Sequence, residues 1–157
     1  MTDLNNNKLK VGIVGFGVVG KKRYHFLQEN PHFETVAVSD KRFAIKSFLK
    51  DSFKLISNND VRIYHDYIDL FEQDLDVLFV SVPNYLAPDA TIRGLQNGNH
   101  VFCEKPLSIN YDQGKELIEL AKSKNLYMYL SDSTFCPLGI YKFIILTLLI
   151  SVIRILL

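Results

Sequence analysis

Gly15, Phe16, Gly17, Val18, Val19 and Gly20 follow directly on a short β-branched run at residues 11–14 and open a helical pattern at residue 18. A strand that becomes a helix across three glycines at this spacing leaves few folds open. The first two glycines strip side chains from a tight turn, so that another backbone can approach closely. The third lets the helix pack hard against the strand. The N–H groups at the helix start then face the turn without partners, which suits a pyrophosphate. Asp40 stands twenty residues beyond Gly20, at the end of the second apolar run. A carboxylate there can accept hydrogen bonds from the hydroxyls of an adenosine ribose.

The rest of the chain, to about residue 130, repeats the alternation. Apolar runs at 35–38, 61–64, 77–82, 101–103 and 127–130 read as strands. The 77–82 run (VLFVSV) is nearly continuous, as in a strand buried on both faces. Helical patterns lie between them at 18–29, 44–50, 68–73, 88–97 and 111–124. Pro88 suits a first helical turn, Gly98 a helix end, and Asn110 a helix cap. Strands alternating with helices predict parallel βαβ units with right-handed crossovers. The expected fold is therefore an α/β, Rossmann-type, doubly wound parallel sheet.

Composition narrows the function classes. The 157 residues hold 18 Lys+Arg and 17 Asp+Glu, a net charge of +1. No basic excess supplies the phosphate-neutralising term of nucleic-acid binding, so no nucleic-acid partner is expected. Two cysteines, Cys103 and Cys136, make no disulfide framework, and His25, His32, His65 and His100 show no metal-ligand spacing. No metal site is expected. Cys103 reads as an inert core thiol. Residues 1–8 are polar and read as a flexible start without a secretory signal, which predicts a cytoplasmic chain. Residues 139–157 carry Lys142 and Arg154 and no acid, leaving 16 basic and 17 acidic groups in the rest. Within that tail only 143–153 is uncharged, and eleven residues fall short of the roughly 20 that span a bilayer. A membrane-associated end, a buried core segment and a frame-shifted or truncated terminus all remain open for it.

Asp40 is followed by Lys41 and Arg42. The acid favours NAD, whereas a neighbouring Arg can hold the 2′-phosphate of NADP, so NAD is expected with NADP as the alternative. Lys41 and Arg42 read equally well as solvated surface. Lys21, Lys22 and Arg23 read as a solvated face, with attraction of cofactor phosphates as the other reading.

Two further signals fall at the ends of the fourth and fifth strands: Pro83-Asn84, and Cys103-Glu104-Lys105-Pro106. With the glycine loop, Asp40, the stretch at 82–108 and the helix after it, these make the sequence resemble the Gfo/Idh/MocA family of NAD(P)-dependent oxidoreductases over about 9–130. The resemblance implies that residues 15–19 line the pyrophosphate and Asp40 the adenosine ribose. It implies that Val82, Pro83 and Asn84 border the nicotinamide half, with Glu104 near its ribose. It makes Lys105 the catalytic residue, placed to hydrogen-bond or move a proton at the reacting hydroxyl, and Lys105–Pro106 a candidate cis bond.

The sequence also departs from the pattern. Ala87 stands where many relatives carry a histidine. Beyond residue 130 the family continues into a substrate-binding α/β domain, which residues 131–157 do not resemble. The expected organisation is a dinucleotide-binding domain at 9–130 with an atypical tail at 131–157. The function implied is hydride transfer at a hydroxyl of a sugar, sugar-nucleotide or cyclitol, requiring a second domain for turnover. A nucleotide-binding module or non-catalytic remnant is the alternative.

Overall fold

A computed structural model of the chain describes residues 8–56 and 60–131. Six parallel strands, β1 (Leu9–Val14), β2 (Phe33–Ser39), β3 (Arg62–Tyr64), β4 (Val77–Val80), β5 (His100–Glu104) and β6 (Met128–Ser131), form one sheet. Their order is β3-β2-β1-β4-β5-β6. The chain winds outward from β1 to β3, then returns to the other side of β1 for β4 to β6. The order therefore reverses between β1 and β4, and a crevice opens at their carboxyl ends.

Four helices cover the sheet: α1 (Val18–Gln28), α2 (Lys46–Ile56), α3 (Ala87–Gln96) and α4 (Tyr111–Ser123). Tyr24 and Leu27 of α1 and Ile56 of α2 pack with Val11, Ile13, Val38 and Phe79 on one face. Ala90 and Leu95 of α3 and Leu117 and Ala121 of α4 pack with Val14, Leu78, Val80 and Val101 on the other. All four residues of β4 are buried, as their uninterrupted apolar run requires. Asn110 caps α4, its side chain accepting from the Gln113 N–H at 2.9 Å, and Gly98 follows α3 with φ +84°. No helix among the described residues is long and apolar enough to cross a membrane.

Several elements differ from their expected bounds for identifiable reasons. The second helix does not begin at Ala44. Asp40 instead caps a 3-10 turn at Lys41–Ala44, and α2 starts after it and runs on to Ile56. Residues 68–73 form a 3-10 turn, Ile68–Glu72, rather than an α-helix. β4 stops at Val80, ahead of Pro83, which has no N–H to give to a ladder. β6 begins one residue late because the Tyr127 N–H donates to His100 Nδ1 at 3.0 Å. The expectations for residues 1–7, for Cys136 and for the tail at 139–157 lie outside the described residues.

Candidate functional site

The crevice is built on Gly15. Its φ of +88° lies in the left-handed region, and a Cβ there would sit 2.4 Å from the Ser81 carbonyl oxygen. Only glycine fits at so close an approach to the end of β4. A Cβ on Gly20 would lie 1.9 Å from the Gly15 carbonyl oxygen, so α1 meets the loop backbone to backbone. Gly17 precedes α1 and no side chain caps the helix, which leaves its first N–H groups for a ligand. The Val18 side chain is exposed beside them, and Val19 is half-buried. Phe16 contributes only its backbone. Its ring is fully buried, edge-on to Tyr24 at 5.6 Å and tilted against Phe43 at 5.9 Å.

Asp40 is joined to this loop. Its Oδ2 accepts from the Phe16 N–H at 2.8 Å and from Arg42 Nη2 at 2.6 Å. Its Oδ1 accepts from the Arg42 N–H and from Arg42 Nε, both at 2.9 Å. Burial, the largest single influence, opposes ionisation. The hydrogen bonds from Arg42 and Phe16, with the Arg42 charge, outweigh it and hold the carboxyl below its ordinary range. The Arg42 guanidinium also lies over the Phe48 ring at 4.3 Å and near Gly17. Arg42, exposed like Lys41, is nevertheless latched onto Asp40 and not simply solvated.

A cavity of about 400 Å³ opens beside the loop, bringing together Gly15, Asp40, Lys41, Arg42, Val82 and Pro83. It is also lined by Ser39, His65, Tyr67, Ser81, Tyr85 and Leu86, which the sequence reading missed. The buried hydroxyls of Ser39 and Ser81 have no hydrogen-bond partner among the described residues. Strand-end position was the one signal that could have found these two serines. Tyr67 donates to Asp89 of α3, which also accepts from Arg93 at 3.1 Å. Burial, then the Asp89 hydrogen bond, pushes the Tyr67 phenol up to about 12. The tyrosine stays neutral and braces the cavity wall against α3.

Asn84, Glu104 and Lys105 lie outside this cavity. Asn84 and Lys105 are exposed, and the Lys105–Pro106 bond is cis. Glu104 ends β5, and its Oε1 accepts from Arg23 of α1. Arg23 corrects an expectation: it is 5% exposed, not part of a solvated face. Cys103 is fully buried, and burial pushes its thiol up, in keeping with an inert core position.

The arrangement suits a dinucleotide laid across the strand ends. The loop after β1, Asp40 directly after β2 and the ends of β4 and β5 all stand at the carboxyl edge of the sheet. Comparisons with known proteins agree with this geometry. A family model described as the oxidoreductase family GFO_IDH_MocA, NAD-binding Rossmann fold, matches residues 9–131. Inositol 2-dehydrogenase of Salmonella paratyphi B is 32% identical over 118 residues, which cover 74% of this chain and 34% of that protein. The WlbA dehydrogenase of Chromobacterium violaceum, solved with NADH and UDP-GlcNAcA, superposes with a TM-score of 0.70 at 22% identity. That match covers 82% of this chain and 36% of the other. Myo-inositol 2-dehydrogenase of Lactobacillus plantarum gives a TM-score of 0.68 at 23% identity over 80% and 36% of the two chains. The chain thus spans about a third of the length of the relatives it matches.

Proposed function

Since the chain belongs to the Gfo/Idh/MocA oxidoreductase family through its NAD-binding Rossmann fold, we propose that residues 9–130 are the cofactor half of an enzyme oxidising or reducing a hydroxyl-bearing carbon. The observation that carries this reading is the 2.8 Å hydrogen bond from the Phe16 N–H to Asp40. It makes the glycine loop and the ribose acid one rigid cradle. The positive φ of Gly15 fits the close approach of a bound dinucleotide. Residues 15–19 line the pyrophosphate: Gly17, Val18 and Val19 offer it backbone N–H groups, Gly15 and Phe16, whose N–H groups donate to the Ser39 carbonyl and to Asp40, fix the turn, and Gly20 allows the close packing behind them. Asp40 binds the adenosine ribose of NAD. Arg42, with Lys41 beside it, turns to the 2′-phosphate when NADP is taken instead.

When bound, the nicotinamide supplies or accepts the hydride. Val82, Pro83 and Asn84 wall its half of the crevice, and Glu104 orients its ribose. Lys105 is exposed and forms no ion pair among the described residues, so its ammonium is available to hold or move a proton at the substrate oxygen. Cyclitols, sugars and sugar-nucleotides are the substrate class, supported by the inositol dehydrogenases and the UDP-GlcNAcA-bound dehydrogenase among its relatives. Orienting such a substrate needs a second wall facing Lys105. A chain of these 157 residues therefore binds dinucleotide but turns over little.

Calorimetric titration with NAD and NADP, paired with an assay of nicotinamide reduction by myo-inositol and a UDP-sugar, tests both statements. Binding without turnover is expected. Absence of binding overturns the cofactor reading, and brisk turnover overturns the need for a second domain.

A further inference from the structure

Arg23 is the one charged side chain of α1 that the fold draws into its interior. Its guanidinium carbon lies 4.4 Å from the Phe102 ring centre and 5.6 Å from that of Phe79. Phe102 is itself stacked between Phe79 at 4.8 Å and Tyr129 at 5.0 Å. Nη2 donates to Glu104, while Nε and Nη1 are buried without a hydrogen-bond partner among the described residues. Burial pushes the guanidinium down to about 10, so it remains a cation at neutral pH. For stability alone this is a poor arrangement. Two donors go unused, and a buried ion pair is often matched or bettered by apolar side chains of similar volume. The one polar task that the guanidinium performs is to hold the Glu104 carboxylate.

That task joins the two ends of the crevice. Arg23 sits in the helix that begins at the glycine loop, and Glu104 is the last residue of β5, next to Lys105. In the strand order, β2, which Asp40 directly follows, and β5, which Glu104 ends, are three steps apart, roughly 14 Å at the usual strand spacing. A dinucleotide with its adenosine at Asp40 and its pyrophosphate at the loop reaches the β5 end with its nicotinamide half. Arg23 commits Oε1 of Glu104 and leaves Oε2 without a donor among the described residues. Without Arg23, the nearest cation for this carboxylate in the sequence is Lys105. Arg23 therefore holds Glu104 in place and keeps its charge from being spent on Lys105.

We propose that Arg23 is a positioning residue for the nicotinamide end: its buried pair with Glu104 sets how well the site holds the nicotinamide half of the dinucleotide, without touching the adenosine half. The proposal rests on the reading that the crevice binds a dinucleotide. The test compares NADH with ADP, which has the adenosine and pyrophosphate but neither the nicotinamide nor its ribose, by calorimetry on the 157-residue chain. In R23M the affinity for NADH should fall by about tenfold, equivalent to about 1.4 kcal/mol, with ADP affinity nearly unchanged. E104Q keeps the shape, removes the carboxylate charge and should lower the same NADH to ADP ratio, even if R23M folds poorly. R23K, which keeps a donor and the charge, should recover part of the ratio. An unchanged ratio in folded R23M or in E104Q overturns the proposal, because a merely structural role lowers both affinities together. Failure of the unaltered chain to bind either ligand overturns the dinucleotide reading and this proposal with it.

Discussion

Replacing Arg42 with alanine should separate the two cofactors. An ionised carboxylate offers about four acceptor sites. In Asp40 all four are filled by protein donors, two of them from the Arg42 side chain at 2.9 and 2.6 Å. A ribose diol can bind Asp40 only by displacing Nε and Nη2 of Arg42. The Arg42 side chain is 49% exposed, so water screens its pair with Asp40. A pair of that kind is worth about 0.2–1 kcal/mol. R42A therefore leaves NAD affinity unchanged or raises it up to about fivefold. NADP behaves differently. Its 2′-phosphate loses a charge-assisted donor worth about 1.5–3 kcal/mol, so NADP binding falls about 10- to 150-fold. Calorimetric titration of both cofactors at one ionic strength near 0.1 M reads the ratio directly. If R42A weakens NAD as much as NADP, Arg42 is not the gate on Asp40 and the reasoning fails.

G15A forces a methyl group into the left-handed region and to within 2.4 Å of a backbone oxygen. The combined conformational and overpacking cost is about 2–5 kcal/mol, lowering the melting temperature by roughly 10 °C or more. An unshifted melt contradicts the loop geometry. Because the folded Asp40 carboxyl lies below its ordinary range, its contribution is present above the unfolded carboxylate pKa and is lost as pH falls through the folded value. The gap in urea midpoint between the unaltered chain and D40N should be full at pH 7 and close below about pH 4. A gap that persists into strong acid contradicts the pairing. Lys105 is exposed without an ion pair among the described residues, so K105M should change stability by less than about 0.5 kcal/mol. A loss of several kcal/mol would show it to be structural.

The alternation of short β-branched runs with helical patterns makes the parallel sheet legible in the sequence, and the glycine spacing locates the crevice. What escaped was set by contacts between residues distant in sequence. Nothing local to Lys21, Lys22 and Arg23 tells that the third of them turns inward, because its partners, Glu104 and Phe102, lie about eighty residues on. Arg42 looked like surface because its attachment to Asp40 depends on a 3-10 turn that the helical pattern at 44–50 conceals. His65, Tyr67 and Tyr85 join the cavity from loops after β3 and β4, where no periodicity marks a side chain's direction. Phe16 misled in the opposite sense. A residue inside the glycine motif reads as ligand-facing, yet its ring fills the core and only its N–H serves the site.

The central claim is that the glycine loop and Asp40 form a dinucleotide cradle, and titration of NAD into the folded 157-residue chain tests it most directly. One equivalent should bind, with affinity lowered at least about tenfold by D40A, equivalent to about 1.4 kcal/mol. No binding of NAD or NADP at millimolar concentration by a chain that melts cooperatively would contradict the account.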